Sequence, residues 1–169
     1  VEENLAISFH GDLKKVCDEY NEDFYSKFKK WADDYFFIPH RNETRGVGGI
    51  FYDHLTAENT GLSKKELFQF ALDLGKLFPK LYSFQVNQNR NKKFDEKNIQ
   101  WRNIRRGRYV EFNLVYDRGT QFGLKTGGRI ESILMSLPEN ASWVYNFKPK
   151  VDSMEAKTAS LLVKDKNWI

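Results

Sequence analysis

Apolar residues recur every three or four positions in one part of this chain and every two in another. Any fold must satisfy both periods. Between Asp12 and Ala32, the side chains of Leu13, Val16, Cys17, Tyr20, Phe24, Phe28 and Trp31 follow helical spacing. Ser63 and Glu66 form a capping box at the start of a second helix. Its apolar face runs through Leu67, Phe70, Leu74, Leu77, Leu81 and Phe84, and Pro79 is expected to kink or split it. From Arg108 to Tyr116 the pattern becomes an alternation, with Val110, Phe112, Leu114 and Tyr116 on one face, which predicts a strand. Further strands are expected at Tyr35–Ile38, Gly48–Tyr52, Gln121–Lys125, Arg129–Leu137 and Ala141–Phe147. Turns are expected at Asp117–Thr120 and Thr126–Gly128, and helices at 95–105 and 153–164. Helices around a central run of strands predict an α+β fold, a large, mostly antiparallel β-sheet flanked by α-helices on both faces.

The 169 residues suit a single domain, 1–169. An apolar content of 40% and an aromatic content of 15% exclude global disorder. One cysteine, Cys17, excludes an internal disulfide framework. No apolar run reaches the ~18 residues of a membrane span. Val1-Glu2-Glu3-Asn4 has no basic region or apolar stretch of a signal peptide, and the missing initiator Met suggests a start within a longer protein.

Net charge is +4, and its distribution is uneven. Eight of the nine arginines fall in four short groups: Arg41/Arg45, Arg102/Arg105/Arg106/Arg108, Arg118 and Arg129. A guanidinium binds carboxylate or phosphate through a rigid fork, so this middle segment points to a polyanionic ligand. Asp117-Arg118 follows the predicted 108–116 strand. A period of two would place Glu111, Asn113 and Asp117 on one side. A carboxylate among arginines stays ionised and can accept hydrogen bonds from N–H groups. The histidines His10, His40 and His54 form no close metal-binding pair, and Gly46-Val47-Gly48-Gly49 lacks the Lys-Ser/Thr of a phosphate loop. A basic nucleic-acid module, which steep salt dependence would reveal, is the rival reading from another class.

Two long motifs carry a resemblance. The first is Lys30-Trp31-Ala32-Asp33-Asp34-Tyr35-Phe36 with His40-Arg41-Asn42-Glu43-Thr44-Arg45-Gly46-Val47-Gly48-Gly49-Ile50-Phe51-Tyr52-Asp53. The second runs from Arg105 through Tyr116-Asp117-Arg118-Gly119-Thr120 and continues as Gly127-Gly128-Arg129-Ile130-Glu131-Ser132 to Pro138. Together they resemble the C-terminal part of oxygen-dependent coproporphyrinogen III oxidases, from about Phe9 to Ile169. The resemblance implies oxidative decarboxylation of two propionates of coproporphyrinogen III to vinyl groups, giving protoporphyrinogen IX for haem synthesis. It implies a homodimer, molecular oxygen as co-substrate and no organic cofactor.

Its Gly-Gly-Arg substrate motif falls on Gly127, Gly128 and Arg129, and its hydrogen-bonding carboxylate on Asp117. Arg118, Arg129, Arg41 and Arg45 are the propionate candidates, since the substrate carries four carboxylates. Asp117 is the candidate for accepting pyrrole N–H bonds or taking a proton, with Arg118 beside it. His10 and His40 match histidines proposed as ligands of a divalent metal in bacterial members, although Ser8 stands where the family often has another histidine. The family's proposed catalytic histidine belongs to a preceding segment that has no counterpart here. A catalytically incomplete portion that only folds and dimerises is therefore the alternative. Bacterial members are cytoplasmic; eukaryotic ones are often mitochondrial, in the intermembrane space.

Overall fold

A computed structural model describes all residues, 1–169. It contains eight α-helices: α1 (Glu3–Asp18), α2 (Phe24–Tyr35), α3 (Ala57–Thr60), α4 (Lys64–Asn89), α5 (Glu96–Val115), α6 (Arg118–Lys125), α7 (Ile130–Leu134) and α8 (Met154–Leu161). The only strands are β1 (Phe37–Ile38) and β2 (Glu43–Thr44), paired antiparallel with Phe37 opposite Thr44 and Ile38 opposite Glu43. The expected large sheet flanked by helices is absent; the architecture is helical with one small ribbon. No helix is long and apolar enough to cross a membrane.

The error lies in residues 108–137. The expected Arg108–Tyr116 strand is the second half of α5, and the strands at 121–125 and 129–137 coincide with α6 and α7. Ile104, Gly107, Arg108, Phe112 and Asn113 are buried along α5, a spacing of three and four, whereas Leu114 and Val115 are exposed. The alternation of apolar side chains after Arg108 was too short to outweigh that longer period. Asp95 caps α5 by accepting from Asn98 N, and the Asn98 side chain returns a bond to Asp95 N. Arginine, a strong helix former, occupies four positions of the same segment. The expected strands at Gly48–Tyr52 and Ala141–Phe147 are extended chain with no ladder, although Phe51 N does bond Phe28 O at 3.0 Å.

The chain divides into two compact units. The first contains 1–35, 47–92 and 164–169. Its core is a ring cluster: Phe70 lies 5.2 Å from Phe24, 5.3 Å from Tyr20 and 5.3 Å from Tyr52, centroid to centroid. Leu13, Cys17, Phe28 and Leu81 complete it. The helical period expected from Asp12 to Ala32 is present but serves two helices, because the chain turns at Asn21, whose Oδ1 accepts from Asp23 N. The Ser63–Glu66 capping box forms as expected, and α4 continues through Pro79 without splitting. Burial raises the Cys17 thiol pKa to about 12, with Asp18 adding to the rise, so the thiol stays protonated.

The second unit contains 36–46 and 93–163: the ribbon, α5 to α8 and their connections. Phe36 packs on Phe112 at 5.5 Å, and Ser142 N donates to Asn103 O at 3.0 Å, tying the 141–150 segment to α5. Gly107 is required at that crossing, since a Cβ there would meet Ser142 O at 2.6 Å.

Phe70→Ala removes a fully buried ring from the cluster and should cost about 3–5 kcal/mol in urea unfolding. Phe68→Ala, on the exposed side of the same helix, should stay within about 0.5 kcal/mol of the parent. Equal effects would mean that the ring cluster is not the core.

Candidate active site

The ribbon of the second unit places His40 and Arg41 against α5. Pro39–Arg41 is a single 3₁₀ turn, and Asn42 follows it in the left-handed region at φ 52°, which Asn tolerates better than most residues. Residues 40 and 41 thereby reach Glu111 on α5. Arg41 grips that carboxylate with both prongs of its fork, Nε to Oε2 at 2.9 Å and Nη2 to Oε1 at 2.6 Å. His40 Nε2 donates to Oε2 at 2.8 Å, Trp143 Nε1 to Oε1 at 2.9 Å and Arg108 Nη1 to Oε1 at 3.3 Å. Tyr116 stacks on the His40 ring, with its hydroxyl 2.8 Å from Nδ1. An ionised carboxylate only accepts, so His40 Nε2 carries a proton.

A second carboxylate extends the network. Glu43 Oε1 accepts from Arg105 Nη1 at 2.8 Å and lies 3.0 Å from Arg108 Nε, close enough for ion pairing but off the N–H axis. Arg45 lies over the rings of Phe36, Tyr109 and Phe112 at 4.3, 4.9 and 4.9 Å. Burial acts to raise the Glu111 pKa. Arg41, His40, Arg108 and Trp143 together outweigh it and hold the group down at about 2.

Asp117 and Arg118 sit where α5 ends and α6 begins. Asp117 caps α6, its Oδ2 accepting from Thr120 N at 2.7 Å and Thr120 Oγ1 at 2.8 Å. The expected common side for Glu111, Asn113 and Asp117 does not survive the change from strand to helix. Asn113 stays on α5, its Nδ2 donating to Tyr109 O at 2.8 Å, Asp117 lies beyond the end of that helix, and Glu111 turns toward the ribbon. The α6 C-terminus closes in a Schellman turn: Gly127 at φ 69° donates to Leu124 O, and Gly128 donates to Gly123 O at 2.9 Å. These N–H groups are thus engaged within the turn, and a Cβ on Gly128 would press on Gly123 O at 3.1 Å. Arg129 follows at the start of α7, exposed and with no carboxylate partner.

The propionate candidates therefore fall into two sets. Arg41 is paired to Glu111, and Arg45 lies in an aromatic box; Arg118 and Arg129 stand at the starts of α6 and α7. Sequence reasoning missed the roles of Glu43, Arg105, Arg108 and Trp143, and placed Glu111 on the wrong side. The signal available was the three- and four-residue spacing of Arg105, Arg108 and Glu111 on one helix.

The metal candidates are engaged elsewhere. His10 belongs to the first unit, fully buried, stacked on Trp168 at 5.6 Å and accepting from the Tyr25 hydroxyl at 3.0 Å. Burial, then Lys29, lowers its pKa to about 4 against the opposing Val47 carbonyl, so the ring is neutral. His40 uses both ring nitrogens in the second unit. No group of three His, Cys, Asp or Glu side chains gathers to hold a metal. These residues do not fit a resident divalent ion.

The coproporphyrinogen III oxidase family model matches residues 1–168. The chain belongs to this family. It is 48% identical over 170 residues to the chloroplastic oxygen-dependent coproporphyrinogen-III oxidase of Hordeum vulgare, covering 100% of this chain and 42% of that protein. The mitochondrial Homo sapiens enzyme of the same name is 48% identical over 165 residues, covering 97% of this chain and 36% of that protein. The Francisella tularensis subsp. novicida (strain U112) enzyme is 47% identical over 167 residues, covering 99% of this chain and 53% of that protein. The chain thus spans about half or less of these coproporphyrinogen oxidase relatives.

Two acid-sensitive groups should be separable by pH. His10 has a folded-state value of about 4 against 6.5, so its contribution is complete above 6.5 and is lost as pH falls toward 4. The loss is on the order of 3 kcal/mol. His10→Gln should flatten that part of the urea-stability profile. Glu111 contributes above 4.5 and loses that contribution as pH falls toward 2. Glu111→Gln should flatten only this lower range, and an unchanged low-pH slope would contradict the network.

Proposed function

We propose that this chain is the C-terminal portion of an oxygen-dependent coproporphyrinogen III oxidase. The reaction oxidatively decarboxylates two propionates of coproporphyrinogen III to vinyl groups, with oxygen as the oxidant and carbon dioxide leaving. Membership of the oxidase family along residues 1–168 is the observation that carries this reading. The proposed reaction takes no organic cofactor.

In the proposed mechanism the substrate's carboxylates are held by guanidinium groups, with the exposed Arg129 foremost and Arg118 contributing. Arg41 joins them only by exchanging Glu111 for a propionate, and Arg45 contributes positive potential from its aromatic box. Gly127 and Gly128 fix the turn that presents Arg129. Asp117 accepts a hydrogen bond from the pyrrole N–H groups, which stabilises positive charge on the ring as it is oxidised, and can take a proton there. A homodimer in the cytoplasm is the proposed assembly and compartment, with the mitochondrial intermembrane space as the alternative. Sedimentation at several protein concentrations tests the dimer.

The chain's coverage of only 36–53% of its relatives favours a second reading for the chain in isolation: a portion that folds but is catalytically incomplete. Aerobic incubation with coproporphyrinogen III, read by porphyrin fluorescence after oxidation of the product, separates the two. Turnover supports a sufficient site. A folded but inactive chain supports the incomplete portion.

Asp117→Asn is the sharper test in an active protein. Asn caps helices as well as Asp, so α6 should persist with unchanged circular dichroism. Turnover should fall by at least ~100-fold, the usual scale for losing a positioned acid–base group. Full turnover would remove Asp117 from the mechanism.

A further inference from the structure

The second unit contains a cavity far along α5 from Asp117. It measures about 530 Å³ and lies between the first half of α5 and the 142–155 segment. That volume is within the range that holds small organic ligands. Its floor is aromatic and aliphatic: Trp101 and Phe147 lie 5.8 Å apart with tilted rings, and Val144 adjoins them. Its rim is cationic, with Lys97, Lys148 and Lys150. None of these three ammonium groups has a carboxylate partner, and Glu155 is the only acidic residue in the lining. The walls are anchored by the Ser142 N to Asn103 O bond, and Gly107 permits the close crossing.

An apolar floor of two tilted rings, Trp101 also facing the Arg105 guanidinium, under a rim with three lysines and one glutamate selects one class of ligand. The rings would take a planar aromatic body, and the lysines its acidic group. We infer that this cavity is a binding site for small aromatic carboxylates or sulfonates, separate from the proposed tetrapyrrole site. Ile104, on its wall, precedes the end of α5 at Val115 by eleven residues, which is about 16 Å of helix, and Asp117 lies beyond that end. Two sites so placed can be occupied together. The inference does not depend on the proposed oxidase reaction.

The probe is anilinonaphthalene sulfonate, an aromatic anion whose fluorescence rises in apolar surroundings. Titration of the 169-residue chain should saturate. Replacing both Lys148→Glu and Lys150→Glu should weaken binding by roughly tenfold. A control with the same net charge, Lys27→Glu with Lys65→Glu, lies on exposed helix surface of the first unit and should bind as the parent does. Phe147→Ala should weaken binding with the lysines intact. Uncharged phenylnaphthylamine should bind more weakly than the sulfonate and should not respond to the Lys148/Lys150 change. Equal affinity for the two double variants would overturn the site, as would binding of the neutral amine as tight as that of the sulfonate.

Discussion

The second unit depends on a carboxylate on α5 that receives more donors than it has oxygens. Glu111 alone would be costly to enclose. Enclosed with Arg41, His40, Arg108 and Trp143, it joins three separate stretches of chain: the ribbon turn, the helix and the 141–150 segment. Removing one partner from such a network leaves a desolvated charge behind, which costs more than the lost bond itself. Glu43 repeats the device one turn back along α5, with Arg105 and Arg108. The arginines that appeared from their clustering to await a polyanion are thus in part already satisfied. Arg129, at the start of α7, is by contrast exposed and has no carboxylate partner.

The first unit rests on a different interaction, the contact of aromatic rings around Phe70. Its one deeply placed ionisable ring, His10, is kept neutral there by burial and held by Tyr25 and Trp168. In this unit the histidine acts as a packing element with a hydrogen bond.

Much of this was legible from residue spacing. The period of Leu13 to Trp31 and the Ser63–Glu66 box located helices of the first unit, and the motifs around His40 and Asp117 located the family. The break at Asn21 was not visible, because a helix–turn–helix can keep one apolar period. The sheet was misread for a definite reason. Valine, phenylalanine, leucine and tyrosine alternate within the nine residues from Arg108 to Tyr116, and that local pattern favours a strand. Capping at Asp95 and the burial of Ile104, Arg108 and Phe112 prevail because they act over the whole of α5. The roles of Glu43 and Glu111 needed the turn at Asn42 to bring distant segments together, and spacing alone does not supply that.

Only Tyr116 and Asp117 separate α5 from α6, and a Schellman turn closes the other end of α6. Such a junction fixes phase as well as position. One residue added or lost there would change the direction in which α6 leaves α5 and carry everything downstream with it. Arg118 and Arg129 would then face new directions while keeping their identities. For the stretch from Phe112 to Arg129, chain length is therefore as restrictive as residue type. Substitutions on its exposed faces leave the geometry intact, whereas insertions and deletions of a single residue do not.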